Sequence, residues 1–164
     1  MVDKNMEADY TVGTAVAAQL DAILDQAEMR CKGSGARLTS GRRKVLELLL
    51  RENRALGAYE ILDLLRAEAS RAVPPPVAYR ALNFLIEHGL AHKVERLNAF
   101  IACAHPGEHH AAAFMICRIC RNVAEAHLHP VTRSVDQAAL SEGFQIERMM
   151  IEVEGLCPTC ADAA

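Results

Sequence analysis

The amino-acid sequence predicts an α+β protein, with an N-terminal winged helix-turn-helix domain followed by a small α/β domain. Three observations predict this fold. Helical periodicity ends at Gly89, a β-hairpin pattern follows it, and two C-x2-C pairs lie in the last third of the chain. A chain of 164 residues is long enough for one compact domain or two small ones.

The first half of the chain carries apolar residues at the three- and four-residue steps of a helix. Thr11 and Thr39 are suitable N-caps, and Gly89 is a suitable C-cap. The predicted helices span residues 11–31, a segment beginning after Thr39, about 58–69, and 77–88. We expect the three prolines before the last helix to be extended or turned.

A β-hairpin is predicted after Gly89, because residues 91–95 and 99–103 flank the turn Arg96-Leu97-Asn98. Short helices followed by a hairpin are typical of a winged helix-turn-helix, whose second helix enters the major groove of DNA. A small helical domain with a hairpin covering its core is the alternative.

The pattern of the C-terminal part predicts three strands and one helix. Pro106-Gly107 indicates a hinge before it. The predicted strands are 112–116, 122–128 and 144–154, and Pro130 opens a helix that ends at about residue 142. One face of so thin a layer needs a partner, and a second copy of the chain is the simplest one.

Two cysteine pairs predict a tetrahedral thiolate site of the kind that suits Zn²⁺. They are Cys117-x-x-Cys120 and Cys157-x-x-Cys160. About 36 residues separate the pairs, so the metal would join the two ends of the α/β domain. Free cysteines and a redox dithiol are the alternatives, but a redox motif needs only one pair.

A second group of metal ligands surrounds the predicted hinge. Six of the seven histidines lie between His92 and His129, together with Cys103 and Glu125. A thiolate among imidazoles and a carboxylate favours zinc over Fe²⁺ or Mn²⁺. Cys103 could instead be a small buried hydrophobic residue, which is what we expect of Cys31.

Charge is distributed unevenly along the chain. The net charge is −3, yet residues 30–96 hold 13 Lys/Arg against 7 Asp/Glu. This asymmetry indicates that the N-terminal part meets a polyanion, although a solvated helix face would look similar. We see no signal-peptide pattern and no apolar run long enough for a membrane span, so we expect a cytoplasmic protein without a membrane partner.

Six stretches in this order resemble the ferric uptake regulator family, specifically its zinc uptake regulator branch. They are RLTSGRR (37–43), AYEILDLLR (58–66), PPVAYRALNFL (75–85), HKVE (92–95), FMICRIC (114–120) and GLCPTC (155–160). The resemblance covers most of the chain from about residue 11 onward.

The resemblance implies a dimeric, zinc-activated transcriptional repressor that binds palindromic double-stranded operator DNA. It implies a winged-helix domain over residues 1–103, a hinge over 104–110 and a dimerisation domain over 111–164. Two zinc ions per subunit are implied, one structural and one regulatory. The implied site residues are Cys117, Cys120, Cys157 and Cys160 for structural zinc, His92, Cys103, His110 and Glu125 for regulatory zinc, and Tyr79 and Arg80 for DNA bases.

This chain departs from the family pattern at two places. Ala112 and Phe114 stand where the family often has a His-x-His pair, which argues against an iron or peroxide sensor built on that pair. Val77-Ala78 stands where Thr-Val is common, so one helix cap or phosphate contact is missing. His109 is the rival of His110 as the regulatory ligand.

Three other functions remain open from the sequence: another metal sensor of the same family, a zinc-dependent hydrolytic enzyme with Glu125 as base, and a zinc-bound protein-interaction module. We predict that the protein is not an enzyme, because four protein ligands leave no vacant metal position for a substrate. We expect no small organic ligand.

Overall fold

A computed structural model describes residues 17–69, 72–107, 112–126 and 128–163. These residues belong to two compact units, which separate between Gly107 and Glu108. Each unit has its own three-stranded sheet. The predicted α+β fold class is therefore confirmed. None of the helices in the described ranges is both long enough and apolar enough to cross a membrane.

Over residues 17–69 and 72–107, the N-terminal unit contains four α-helices and a small antiparallel sheet. Its elements are α1 (Ala17–Gly33), α2 (Ser40–Glu52), β1 (Leu56–Gly57), α3 (Ala58–Glu68), α4 (Pro75–Glu87), β2 (Ala91–Val94), a 3-10 turn (Glu95–Leu97) and β3 (Ala99–Ala102). The sheet order is β1-β3-β2. Helices α2, α3 and α4 surround a core of aliphatic side chains that are almost wholly buried: Val45, Leu48, Leu49, Leu56, Ile61, Leu82 and Leu85.

The start of one helix differs from the prediction, and one predicted cap lacks its side-chain hydrogen bond. Helix α4 begins at Pro75, two residues earlier than expected, with Pro74 at its N-cap. Proline suits the first helical positions because its φ is preset and its missing N–H would have no partner there. Thr39 occupies the N-cap of α2 as predicted, but its side chain makes no capping hydrogen bond. The cap predicted at Thr11 lies outside the described residues.

The β-hairpin forms as predicted, with Ala91 opposite Ala102 and Val94 opposite Ala99. Its connection is a 3-10 turn that ends at Asn98 in the left-handed conformation, with φ of 47°. Strand β1 was not predicted. It has only two residues, and Leu56 pairs with Phe100 of β3, so no alternating pattern could reveal it.

The C-terminal unit consists of β4 (Ala112–Cys117), β5 (Val123–Ala126), α5 (His129–Ser141), β6 (Met150–Gly155) and α6 (Pro158–Asp162). Strand β4 is central: it pairs antiparallel with β5 and parallel with β6. The parallel pairing runs from Ala112 opposite Met150 to Cys117 opposite Gly155.

The strand predicted over residues 144–154 is wrong in its first half, because β6 begins only at Met150. The described part of β4 begins at Ala112, which pairs with Met150. It therefore supplies no strand partner for the residues that precede Met150. Phe144 is instead 71% exposed. The short helix α6, which carries Cys160, was also missed.

Candidate metal centres and nucleic-acid interface

The four paired cysteines come together at one end of the C-terminal sheet. Cys117 ends β4, and Cys157 is the N-cap of α6 just after β6. Parallel pairing of β4 with β6 brings these strand ends side by side. All four Sγ atoms lie within 4.8 Å of one another, and the Sγ atoms of Cys120 and Cys157 are 3.7 Å apart.

These sulfur positions fit a tetrahedral zinc–thiolate centre. With Zn–S distances of about 2.3 Å, the sulfurs of a regular tetrahedron lie about 3.8 Å apart. The separation of Cys120 and Cys157 agrees with that value. Backbone hydrogen bonds also hold the cluster, since Arg118 N–H donates to the Gly155 carbonyl at 2.9 Å and Ala161 N–H to the Cys157 carbonyl at 2.8 Å.

The electrostatics of the cluster favour a bound cation. Backbone N–H groups of Cys157 and Cys120 donate to the Cys117 thiolate and lower its pKa to about 6. Hydrogen bonding to Cys157 and burial raise the pKa of Cys160 to about 12. Because the sulfur atoms lie close together, a negative charge on one of them makes ionisation of its neighbour unfavourable. A divalent cation offsets that repulsion, and thiolates are the form that bind it.

His92 and Cys103 lie together in the N-terminal unit. His92 is on β2, and Cys103 directly follows β3, with its N–H donating to the Leu90 carbonyl at 3.0 Å. Their ligand atoms lie within 4.8 Å of each other. Cys103 is 5% exposed, and the Nε2 atom of His92 is buried. The pair therefore offers one sulfur and one nitrogen donor in a sheltered position.

The other predicted regulatory ligands belong to the second half of the chain. Glu125 is half-buried on β5 in the C-terminal unit. His110, its rival His109, and His127 lie outside the described residues. Cys31 is buried in the core of the N-terminal unit, as expected, and desolvation raises the pKa of its thiol.

Helix α4 presents the two predicted base-reading residues to solvent. Tyr79 is 43% exposed and Arg80 is exposed, so Tyr79 is not a core aromatic. The opposite face of α4 is buried through the side chains of Ala78, Ala81, Leu82, Phe84 and Leu85. The residues of this helix thus separate into a core face and an exposed face that contains a phenol and a guanidinium.

Much of the positive charge of the N-terminal unit is paired with carboxylates. Arg43 contacts Asp25 at 2.7 Å, and Glu68 accepts hydrogen bonds from Arg51 at 2.6 Å and Lys44 at 2.7 Å. The sequence showed the excess of Lys and Arg but not this pairing, because the partners lie on different helices. Fewer Lys and Arg side chains are therefore available to a polyanion than their number in residues 30–96 suggests.

Comparison with known proteins agrees with these observations. The family model described as the ferric uptake regulator family matches residues 33–154. The zinc uptake regulation protein of Escherichia coli (strain K12) is 39% identical over 141 residues, which cover 85% of this chain and 82% of that protein.

Two solved structures are similar over 88% of this chain at 38% identity. One is a zinc uptake regulator complexed with zinc and DNA, with a TM-score of 0.82 and 96% of that chain covered. The other is holo XcZur, with a TM-score of 0.79 and 99% covered. With the family model matching most of its length, this chain belongs to the ferric uptake regulator family.

Proposed function

We propose that this protein is a zinc-responsive transcriptional repressor that binds operator DNA when a regulatory zinc is bound. The main observation behind this proposal is that two features occur in one compact unit. Helix α4 exposes Tyr79 and Arg80, and His92 and Cys103 offer a buried pair of donor atoms. The similarity of this chain to a zinc uptake regulator solved with zinc and DNA supports the same function.

Two zinc ions per subunit serve different purposes in this proposal. The structural ion is held by the four thiolates at the ends of β4 and β6, where it supplies a cross-link between distant parts of the chain. The regulatory ion takes His92 and Cys103 from the N-terminal unit, with Glu125 and His110 from the C-terminal part. His109 is the alternative to His110.

Regulation follows from the positions of those ligands in the chain. They come from both sides of the boundary between Gly107 and Glu108, so all four can bind one ion only in some arrangements of the two units. Zinc binding would therefore shift the population of arrangements. A shift from mostly inactive to mostly active takes about 5.5 kcal/mol of differential affinity. That is less than the binding free energy of about 10–16 kcal/mol that structural zinc reaches in zinc-finger peptides, so one zinc ion can supply it.

Base reading is assigned to α4. A tyrosine ring can pack on a thymine methyl group, and an arginine can form two hydrogen bonds with guanine. Two copies of α4 in a dimer would read the two half-sites of a palindrome, so their spacing must match that of the half-sites.

A second copy of the chain is the proposed partner of the C-terminal unit. That unit leaves many large apolar side chains exposed, namely Met115, Ile119, Val131, Val135, Leu140, Phe144, Ile146, Val153 and Leu156. So many exposed apolar side chains in a small unit are typical of an interface. Such a dimer would act in the cytoplasm, where its DNA is.

The test is DNA binding across a buffered zinc series. Metal content of the purified protein is counted, and duplexes selected from a randomised pool are then titrated by fluorescence anisotropy. We expect tight, salt-sensitive binding that requires zinc and is lost with a chelator. Equal activation by Fe²⁺ at buffered concentrations would instead favour another sensor of this family, and zinc-independent binding would contradict the proposal.

A further inference from the structure

The exposed face of α4 extends one turn beyond the two residues already assigned to base reading. Asn83 is four residues after Tyr79 and three after Arg80. Residues three and four apart lie on the same face of an α-helix. Asn83 is exposed, whereas its neighbours Leu82 and Phe84 are buried. Its side chain therefore lies on the face that Tyr79 and Arg80 share.

Charged residues of the nearby helix α2 make polar contacts within the protein, whereas the side chains on the exposed face of α4 make none among the described residues. On α2, Arg51 and Lys44 bind Glu68, and the guanidinium of Arg42 stacks on the Phe84 ring at 3.6 Å. Within the described ranges, no hydrogen bond or ion pair involves the side chains of Tyr79, Arg80 and Asn83. All three are available to a ligand that approaches α4.

The side chain of asparagine matches the edge of one base. Its amide places one donor and one acceptor side by side, as adenine N7 and N6 require in the major groove. A helix rises about 1.5 Å per residue, so Asn83 lies about 6 Å along the axis from Tyr79. That distance corresponds to about two base-pair steps of 3.4 Å.

We propose that Asn83 is a third base-reading residue, which selects an adenine in each half-site, one or two base pairs from the guanine read by Arg80. The inference rests on the proposed function, since it requires that α4 enters the major groove. It adds a preference that the Tyr79-Arg80 pair alone does not supply.

The Asn83→Ala variant is suited to a test because the fold does not depend on this side chain. Asparagine is a weaker helix former than alanine, and Asn83 is exposed. We therefore expect the variant to keep its metal content, its dimer and a thermal midpoint no lower than that of the wild type. A change in DNA binding would then report on recognition.

The experiment compares the sequences that each protein selects from randomised duplexes at saturating zinc. We expect Asn83→Ala to lose the adenine preference at one position of each half-site, by about 5- to 150-fold in affinity, and to keep the guanine preference. Asn83→Asp should change the preferred base from adenine to cytosine, because a carboxylate accepts from cytosine N4. Gln26→Ala removes an exposed amide from α1 and should select wild-type sequences.

Different outcomes separate this inference from the proposed function. Unchanged base preference in Asn83→Ala and Asn83→Asp would overturn the inference while leaving the repressor intact. Weaker binding by the same factor to every sequence would also overturn it, since that result indicates a phosphate contact. A wild-type protein that selects no sequence with zinc would overturn the proposed function, and this inference with it.

Discussion

Arg30 and Gly107 show how single residues hold the segment that follows Cys103. The Nη1 atom of Arg30 donates to the Pro106 carbonyl at 2.8 Å. Gly107 has a φ of +108°, and a Cβ atom there would collide with the Arg30 guanidinium. Arg30, Cys103 and Pro106 also line one small cavity of about 60 Å³. The contact thus links α1 to the end of the N-terminal unit.

Gly107→Ala should destabilise the N-terminal unit. A non-glycine residue in so unfavourable a conformation costs about 1–3 kcal/mol, and Arg30 must leave its position. We expect a lower midpoint in urea unfolding followed by circular dichroism. Gly41→Ala is the matched control: Gly41 is the second residue of α2 with no atom near its missing Cβ, so alanine should stabilise by up to about 1 kcal/mol. Equal effects of the two changes would contradict this explanation.

At the scale of elements, α2 and α3 are joined by charge as well as by their apolar core. Glu68 of α3 accepts hydrogen bonds from Arg51 and Lys44 of α2, which lower the pKa of its carboxyl to about 2. The unfolded value is near 4.5. Because the folded pKa is the lower one, the contact contributes its full stability above about pH 4.5 and loses it as the pH falls towards 2.

Glu68→Gln should therefore weaken the pH dependence of unfolding between pH 4.5 and 2. The carboxylate is one-third exposed, so solvent screening limits its contribution at pH 7 to about 1 kcal/mol. Urea unfolding of both proteins at several pH values measures the difference. Asp63→Asn is the control, since Asp63 is highly exposed and contacts Arg66 at 3.5 Å. A parallel pH profile for Glu68→Gln and wild type would contradict the assignment.

The four-cysteine cluster joins elements of the C-terminal unit, since β4 carries Cys117 and α6 carries Cys160. Cys157→Ser should remove one tightly held zinc and unfold this unit, because structural zinc contributes directly to folding. Metal counting together with circular dichroism measures both effects. Cys31→Ala, outside the cluster, should keep the full zinc content. A folded Cys157→Ser protein with all of its zinc would contradict the structural site.

At the scale of the whole molecule, the two proposed metal sites differ in how their ligands are distributed over the two units. The four-thiolate cluster lies wholly within the C-terminal unit. The regulatory set proposed above takes ligands from both halves of the chain. Loss of the first should therefore affect folding, whereas loss of the second should affect only the response to zinc.

Cys103→Ser and His92→Ala should keep structural zinc and the dimer but lose zinc-dependent DNA binding. A neutral hydroxyl is a much poorer zinc ligand than a thiolate, and alanine removes the imidazole. Zinc titration in a competing chelator, followed by anisotropy, measures the response. A wild-type response in both variants would place the regulatory site elsewhere, with His105, His109, His127 and His129 as the remaining candidates.

Local patterns were enough to predict most of the elements. The periodicity of α2 and α3 and the turn at Asn98 depend on residues close in sequence. The same holds for the end of α4, although the C-cap is His88 and the predicted Gly89 is the left-handed residue after it. The elements that were predicted wrongly depend on contacts between residues far apart in sequence. Strand β1 exists because Leu56 pairs with Phe100, and β6 begins where β4 offers a partner. Strand register is a property of two segments together, so one segment cannot reveal it.

The sequence by itself determined which residue types can bind zinc and DNA: paired cysteines, a thiol near histidines, and a Tyr-Arg pair on a helix. Only the tertiary structure decided that β4 and β6 are parallel, which brings two cysteine pairs about 36 residues apart to one sheet end. It also decided that Tyr79 and Asn83 are exposed while Leu82 and Phe84 are buried. The reason is physical: ligand chemistry belongs to a side chain, whereas proximity and exposure arise from the packing of distant segments.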